Sequence, residues 1–253
     1  MKNSKNRKLV IASMLGAITI ALGMTPLGFI PLGLINATTL HIPVIIAGIL
    51  EGPAVGAAVG LIFGLSSLFN AITRPNPASV MFYNPLISVV PRILIGLSSY
   101  YVYTLVKKFE FSNSKKVSNV VWIVILALLG YLLYKNITAE AESLIIGVNI
   151  ILILVSLVMI FLMNRYQSNL AVTVASFVGS MTNTILVMGG IYVFYAAKYM
   201  EILGKSAGDA QAVILGVVVT SGIPEAIISV IITTSVVNAV KLSRGEHVTG
   251  NKH

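Results

Sequence analysis

Residues 38–64 read TTLHIPVIIAGILEGPAVGAAVGLIFG, and this stretch decides the fold. Pro43 is tolerated in the first turn of a helix, where its missing N–H costs little, so a helix is predicted from near Leu40 with Thr38 or Thr39 as N-cap. Gly52 ends it and Pro53 opens the next helix. About 12 residues at ~1.5 Å each reach ~18 Å, against a ~30 Å hydrocarbon core. Such a helix stops inside the membrane thickness. The backbone before it cannot be left to lipid and has to line a protein cavity. A short apolar segment with Thr and His at its start points to a buried polar binding site.

The composition agrees. Of 253 residues 57% are hydrophobic and 10% charged, with no Cys and a net charge of +9. Soluble domains carry about 25% charged residues, so the chain reads as a single polytopic membrane domain over 1–253. Without Cys there are no disulfides, thiolate nucleophiles or Cys-ligated metals. The basic balance does not indicate nucleic acid, because the charges sit between apolar runs instead of on a basic face. The opening MKNSKNRK and its apolar sequel look like a signal peptide, but no A-x-A-like site follows, so an uncleaved first helix is expected.

Apolar runs at about 9–25, 40–51, 53–71, 85–106, 118–134, 143–163, 169–197 and 211–240 give eight helical segments. With the N-terminus in the cytoplasm, twelve Lys and Arg fall inside and four outside, and Arg92 lies within a span. That bias is a positive-inside signal and places both termini in the cytoplasm.

Residues 24–37, MTPLGFIPLGLINA, hold Pro26, Gly28, Pro31 and Gly33 and cannot form a regular helix. An uncharged apolar loop on the outside should cover something; a lid beside Thr38–His41 and a passive connector are the two readings. Ala12/Gly16 and Ser13/Ala17 on the first helix are small residues four apart, suited to a partner helix or to packing within the chain. Gly56, Gly60 and Gly64 make one side of the third helix flat, with Ser66, Ser67 and Asn70 at its outer end. The external loop with Pro75, Pro77 and Pro85 excludes a long helix and ends near Tyr83 and Asn84.

Arg92 and Glu225 are the charges within spans, and an intramembrane ionisable residue marks a functional site unless it is neutralised by a partner. They pair with each other, or face a ligand, or both. Pro224 should kink the last helix and free carbonyls. Thr182, Asn183 and Thr184 share one depth and read equally as interhelical hydrogen bonds or as a pocket wall. The segments near 120–134 and 144–163, joined by a turn with Glu140 and Glu142, hold little polar besides Asn149 and suggest a peripheral hairpin.

Known catalytic motifs are missing. There is no P-loop, H-E-x-x-H or G-x-S-x-G, and His41 stands alone outside the C-terminal tail. No metal site or enzyme is expected. No internal repeat is visible, which argues against an alternating-access carrier.

The run TTxHIPVII with GPxxGxxxGxxFGxxS, then NPLISVxPRILIG at 84–96, GSMTNT at 179–184 and IPEA at 223–226, resembles the substrate-binding S components of energy-coupling factor (ECF) vitamin transporters. The pantothenate-type branch is most similar. The resemblance covers roughly four-fifths of the chain. It implies an all-α six-helix bundle (core 1–116 and 165–253), here with an extra two-helix hairpin at 117–164, and a transmembrane coupling subunit with two cytoplasmic ATPases that would use the ATP. No cofactor is implied in this chain. It also implies that residues 24–37 act as a lid and that Ala12, Ser13, Gly16 and Ala17 meet the coupling subunit. A small vitamin, pantothenate or a relative, would be held by Thr38, Thr39, His41, Asn84, Thr182 and Asn183. For a carboxylate ligand Arg92 and the N-terminus of the short helix supply positive potential, with Glu225 anchoring Arg92 or touching the ligand. The competing class is a stand-alone proton-coupled secondary transporter of a small organic anion.

Overall fold

In the computed structural model α1 (Lys2–Met24) leads through an antiparallel strand pair, β1 (Phe29–Pro31) and β2 (Asn36–Thr38), into α2 (Ile42–Glu51) and α3 (Pro53–Thr73). The short helices α4 (Ser79–Phe82) and α5 (Pro85–Ser88) precede α6 (Val90–Lys108), followed by α7 (Ser114–Thr138), α8 (Ser143–Tyr166) and α9 (Leu170–Ile202). The chain closes with α10 (Ala210–Val217), a π-helical turn (Val218–Gly222) and α11 (Ile223–Ser243). The structure describes residues 2–25, 28–31, 36–108, 114–138, 143–166 and 170–245. Pro26 and Gly33 of the apolar loop, and the turn with Glu140 and Glu142, lie outside these.

The short helix is as expected at its end and shorter at its start. Gly52 adopts φ 98°, which a side chain would resist, and Pro53 begins α3 at once. At the other end α2 begins at Ile42, not Leu40. Thr38 belongs to β2, and His41 occupies the N-cap position without a side-chain cap bond. The extended pairing of Phe29 with Thr38 holds the chain out of the helical conformation up to that point. Ten residues span ~15 Å. Nine of the ten are buried, so α2 runs down the middle of the protein with Val44, Ile45 and Ala47 in the core.

The glycine stripe explains how closely the neighbours approach. A Cβ on Gly56 would lie 2.8 Å from the Cα of Gly48 and 3.1 Å from that of Gly96. Gly60 and Gly64 face the backbone of Arg92 and Val89 in the same way, so α3 lies flat on the start of α6.

Six described segments are long and apolar enough to cross a membrane: α1, α3, α5–α6, α7, α9 and α10–α11. The expected six-helix bundle counts α2 in place of α7. The helices α7 and α8 pack on each other, and Trp122 and Leu152 join the main core. Leu9, Met14, Leu61, Phe69, Ile123 and Val193 are exposed, and so broad an apolar surface belongs against lipid. The protein is a multi-pass membrane protein. Helix α9 has 33 residues, ~50 Å of helix against a ~30 Å core, and breaks at Tyr195 (φ −140°, ψ 20°) before it ends. Pro224 leaves a wide π turn before it: its ring excludes the carbonyl four residues back, and the ladder slips at Val218–Gly222.

At the foot of α2 the buried Glu51 carboxylate receives Arg244 at 2.6 Å and Arg7 at 3.5 Å. Nearby in the chain Lys241 donates to the Tyr103 hydroxyl at 2.6 Å. These contacts join the first turns of α1, the foot of α2, and the ends of α6 and α11.

Candidate functional site

At the opposite end from Glu51 the bundle encloses a cavity of about 430 Å³, lined by α1, α3, α6, α9, the last segment and the strand leading to α2. That volume suits a small organic ligand. The backbone ahead of the short helix does line it, through Thr38 and Leu40.

Arg92 is 6% exposed and forms part of the cavity wall. The guanidinium lies 5.2 Å from the Phe63 ring centroid and 5.6 Å from that of Phe82, and Nη1 donates to the Ile87 carbonyl. Nε is buried without an acceptor among the described residues. Two aromatic faces and one carbonyl hold this cation, and its charge is not neutralised by them.

Glu225, in the first turn of α11, lines the same cavity and accepts the Thr38 main-chain N–H at 2.8 Å. The described residues show no Arg92–Glu225 ion pair. Each is hydrogen-bonded to other groups, and the two charges still feel one another across the cavity. Asn183 and Thr184 reach the cavity from α9, and the Asn183 Oδ1 has no donor among the described residues. Ser66, Ser67 and Asn70 reach it from α3.

Other expected residues are placed elsewhere. His41 is fully buried beside the cavity, not on its wall, and neither ring nitrogen has a partner among the described residues. Thr39 is buried and not part of the lining. The Asn84 side chain caps α5 by accepting the Leu86 N–H at 3.0 Å. Thr182 turns back to the Val178 carbonyl at 2.7 Å, the usual local option for a helical hydroxyl.

The two small-residue stripes of α1 also part company. Ala12 and Gly16 are buried, and a Cβ on Gly16 would come within 2.6 Å of Ile62, so this stripe packs on α3. Ser13 and Ala17 are exposed.

Sequence reasoning missed Thr19 of α1, Arg74 at the end of α3, Asn76 and Ser79 just beyond it, and Ser221 of the π turn. One signal was available for the loop. Asn76 before Pro77 favours a side-chain turn, and Asn76 Oδ1 does accept the Ala78 N–H at 2.9 Å. Thr19, a lone hydroxyl in an apolar helix, carried none.

Comparison with known proteins bears on this arrangement. The family model described as "ECF transporter, substrate-specific component" matches residues 7–146. Over 103 residues the chain is 40% identical to the pantothenate transporter PanT of Leuconostoc mesenteroides subsp. mesenteroides, covering 38% of this chain and 50% of that protein. Over 224 residues it is 26% identical to the pantothenic acid transporter PanT of Lactococcus lactis subsp. cremoris, covering 83% and 80%. The chain thus spans half the length of the first relative and four-fifths of the second. The family match takes in α1, the short α2, the glycine-striped α3 and Arg92, more than half the chain, and the chain belongs to the family of ECF transporter substrate-specific components.

Proposed function

We propose that the chain is the membrane-embedded binding subunit for uptake of pantothenate or a related small vitamin carboxylate. It delivers its ligand by docking on a transmembrane coupling subunit driven by two ATPases. The cavity faces outward and both termini lie in the cytoplasm, as the distribution of Lys and Arg favours. The helices α7 and α8 are an addition to the family's six-helix bundle.

The observation that carries the reading is Arg92. A buried guanidinium on a cavity wall, with aromatic faces around it and no carboxylate paired to it among the described residues, suits a ligand that brings its own anion. Ser66, Asn70 and Asn183 supply polar partners for hydroxyl and amide groups on the same ligand. The pantothenate relatives share this chemistry in name.

The test is equilibrium binding of labelled pantothenate to the full chain in lipid nanodiscs. Arg92→Ala is expected to weaken binding by about 100-fold or more, and Arg92→Lys by less, because it keeps charge without the planar fork. The alcohol analogue of pantothenate, which lacks the carboxylate, should bind wild type poorly. Equal affinity for acid and alcohol would overturn the assignment of Arg92. Uptake by the chain alone, driven by a pH gradient in proteoliposomes, would replace this reading with a secondary carrier.

A further inference from the structure

A carboxylate in the wall of an anion-binding cavity needs a reason, because a free one would repel the ligand. Glu225 is the one carboxylate among the described lining residues. Its hydrogen-bond partner is Thr38, through the main-chain N–H and the side chain, in a strand 187 positions away in sequence, and Arg92 acts on it only electrostatically.

Successive N–H groups of a strand point to opposite edges. At the end of β2 the Thr39 N–H donates to the Gly28 carbonyl at 2.9 Å, on the side of β1. The Thr38 N–H points the other way and donates to Glu225 Oε1 at 2.8 Å. Among the described residues the outer edge of this two-stranded pair carries no third strand. An edge N–H buried away from water has to be paired, and a carboxylate accepts it more strongly than a neutral group would.

We infer that Glu225 is a positioning residue that closes the open edge of β2 and so seats Thr38 and Leu40 in the cavity wall. Its carboxylate is committed to Thr38 and not to the ligand. The Pro224 break and the π turn before it set the first turn of α11 at the level of the strand. The effect on ligand release rests on the function proposed above; the seating of the strand does not.

The experiment uses the cysteine-free chain with one reporter thiol, Asn36→Cys, in nanodiscs. The rate of labelling by a membrane-impermeant maleimide is measured together with the pantothenate dissociation rate. Glu225→Gln keeps an acceptor oxygen but loses the charge, and should label and release ligand at rates nearer the parent than Glu225→Ala. Glu225→Ala removes the acceptor and should label faster and release ligand about 10-fold faster, with little change in association rate. Thr38→Pro removes the main-chain donor and should label like Glu225→Ala, whereas Thr38→Val loses only the hydroxyl, keeps the N–H and should label more slowly than Thr38→Pro. Parent-like labelling of Glu225→Ala, or a Gln variant that behaves like Ala, would overturn the inference. Should Glu225→Ala fail to fold, the contrast between Thr38→Pro and Thr38→Val decides. A parent chain that does not bind pantothenate would overturn the proposed ligand and leave the labelling series to judge Glu225.

Discussion

Gly60 in α3 lies directly against the main-chain carbonyl of Arg92 in α6, so close that a Cβ at Gly60 would overlap that oxygen. The glycine stripe therefore does more than let two helices touch. It sets the depth and direction of the one buried arginine in the cavity wall. Gly60→Ala is expected to push α6 away, cost about 1–3 kcal/mol of stability and weaken ligand binding along with it. Gly130→Ala in α7, where an added methyl meets nothing within 4 Å, is the matched control and should leave both unchanged. Thermal unfolding and ligand titration of the two variants check this.

Arg74 ends α3 in an exposed position and also lines the cavity, so it stands at the mouth while Arg92 is buried. A cation there raises the local concentration of an anion without holding it. Arg74→Glu is expected to slow association up to about 10-fold at low ionic strength, with dissociation nearly unchanged. The difference should shrink as salt shortens the screening length. Stopped-flow association at several salt concentrations reads both effects.

Glu51 lies at the far end of α2 from the cavity, with its side chain 1% exposed and two arginines on it. Removing the carboxylate leaves Arg244 without this partner, although both arginines keep some access to solvent. Glu51→Ala is expected to lower stability by about 1–3 kcal/mol, and Glu51→Gln by less. Ligand affinity should stay as in the parent because no cavity residue moves. Melting temperature and dissociation constant, measured on the same preparation, separate the two.

Ser13, Ala17 and Ala21 form a stripe of small residues of α1 left uncovered, and a helix partner would meet that stripe first. Ala17→Trp should leave pantothenate binding intact and abolish ATP-driven uptake in proteoliposomes that contain the coupling subunit and ATPases. Gly16→Leu should instead destabilise the chain itself, through the clash with Ile62. Uptake lost only in the Gly16 variant would show that the exposed stripe is not the docking face.

The amino-acid sequence by itself determined where the helices lie along the chain. Gly52-Pro53 breaks the apolar run wherever the segment sits, and Pro31 suits the extended β1 better than a helix, because these are local backbone effects. It also determined that Arg92, Glu225 and Asn183 reach membrane depth, since depth follows from position in a span. Tertiary structure decided direction. Ala12/Gly16 and Ser13/Ala17 have the same spacing, and only the rotation of α1 against Ile62 buries one stripe and bares the other. Arg92 and Glu225 read as natural partners; they interact electrostatically, but the direct contacts of Glu225 go to the strand edge at Thr38 and those of Arg92 to the Ile87 carbonyl and the Phe63 and Phe82 rings. Asn84 and Thr182 turn to their own backbone and are absent from the lining, whereas Ser221 and Thr19, the latter also bonded to the Leu15 carbonyl of its own helix, are part of it. Periodicity fixes how far along a helix a side chain lies. Which way it points is settled by the packing of helices distant in sequence.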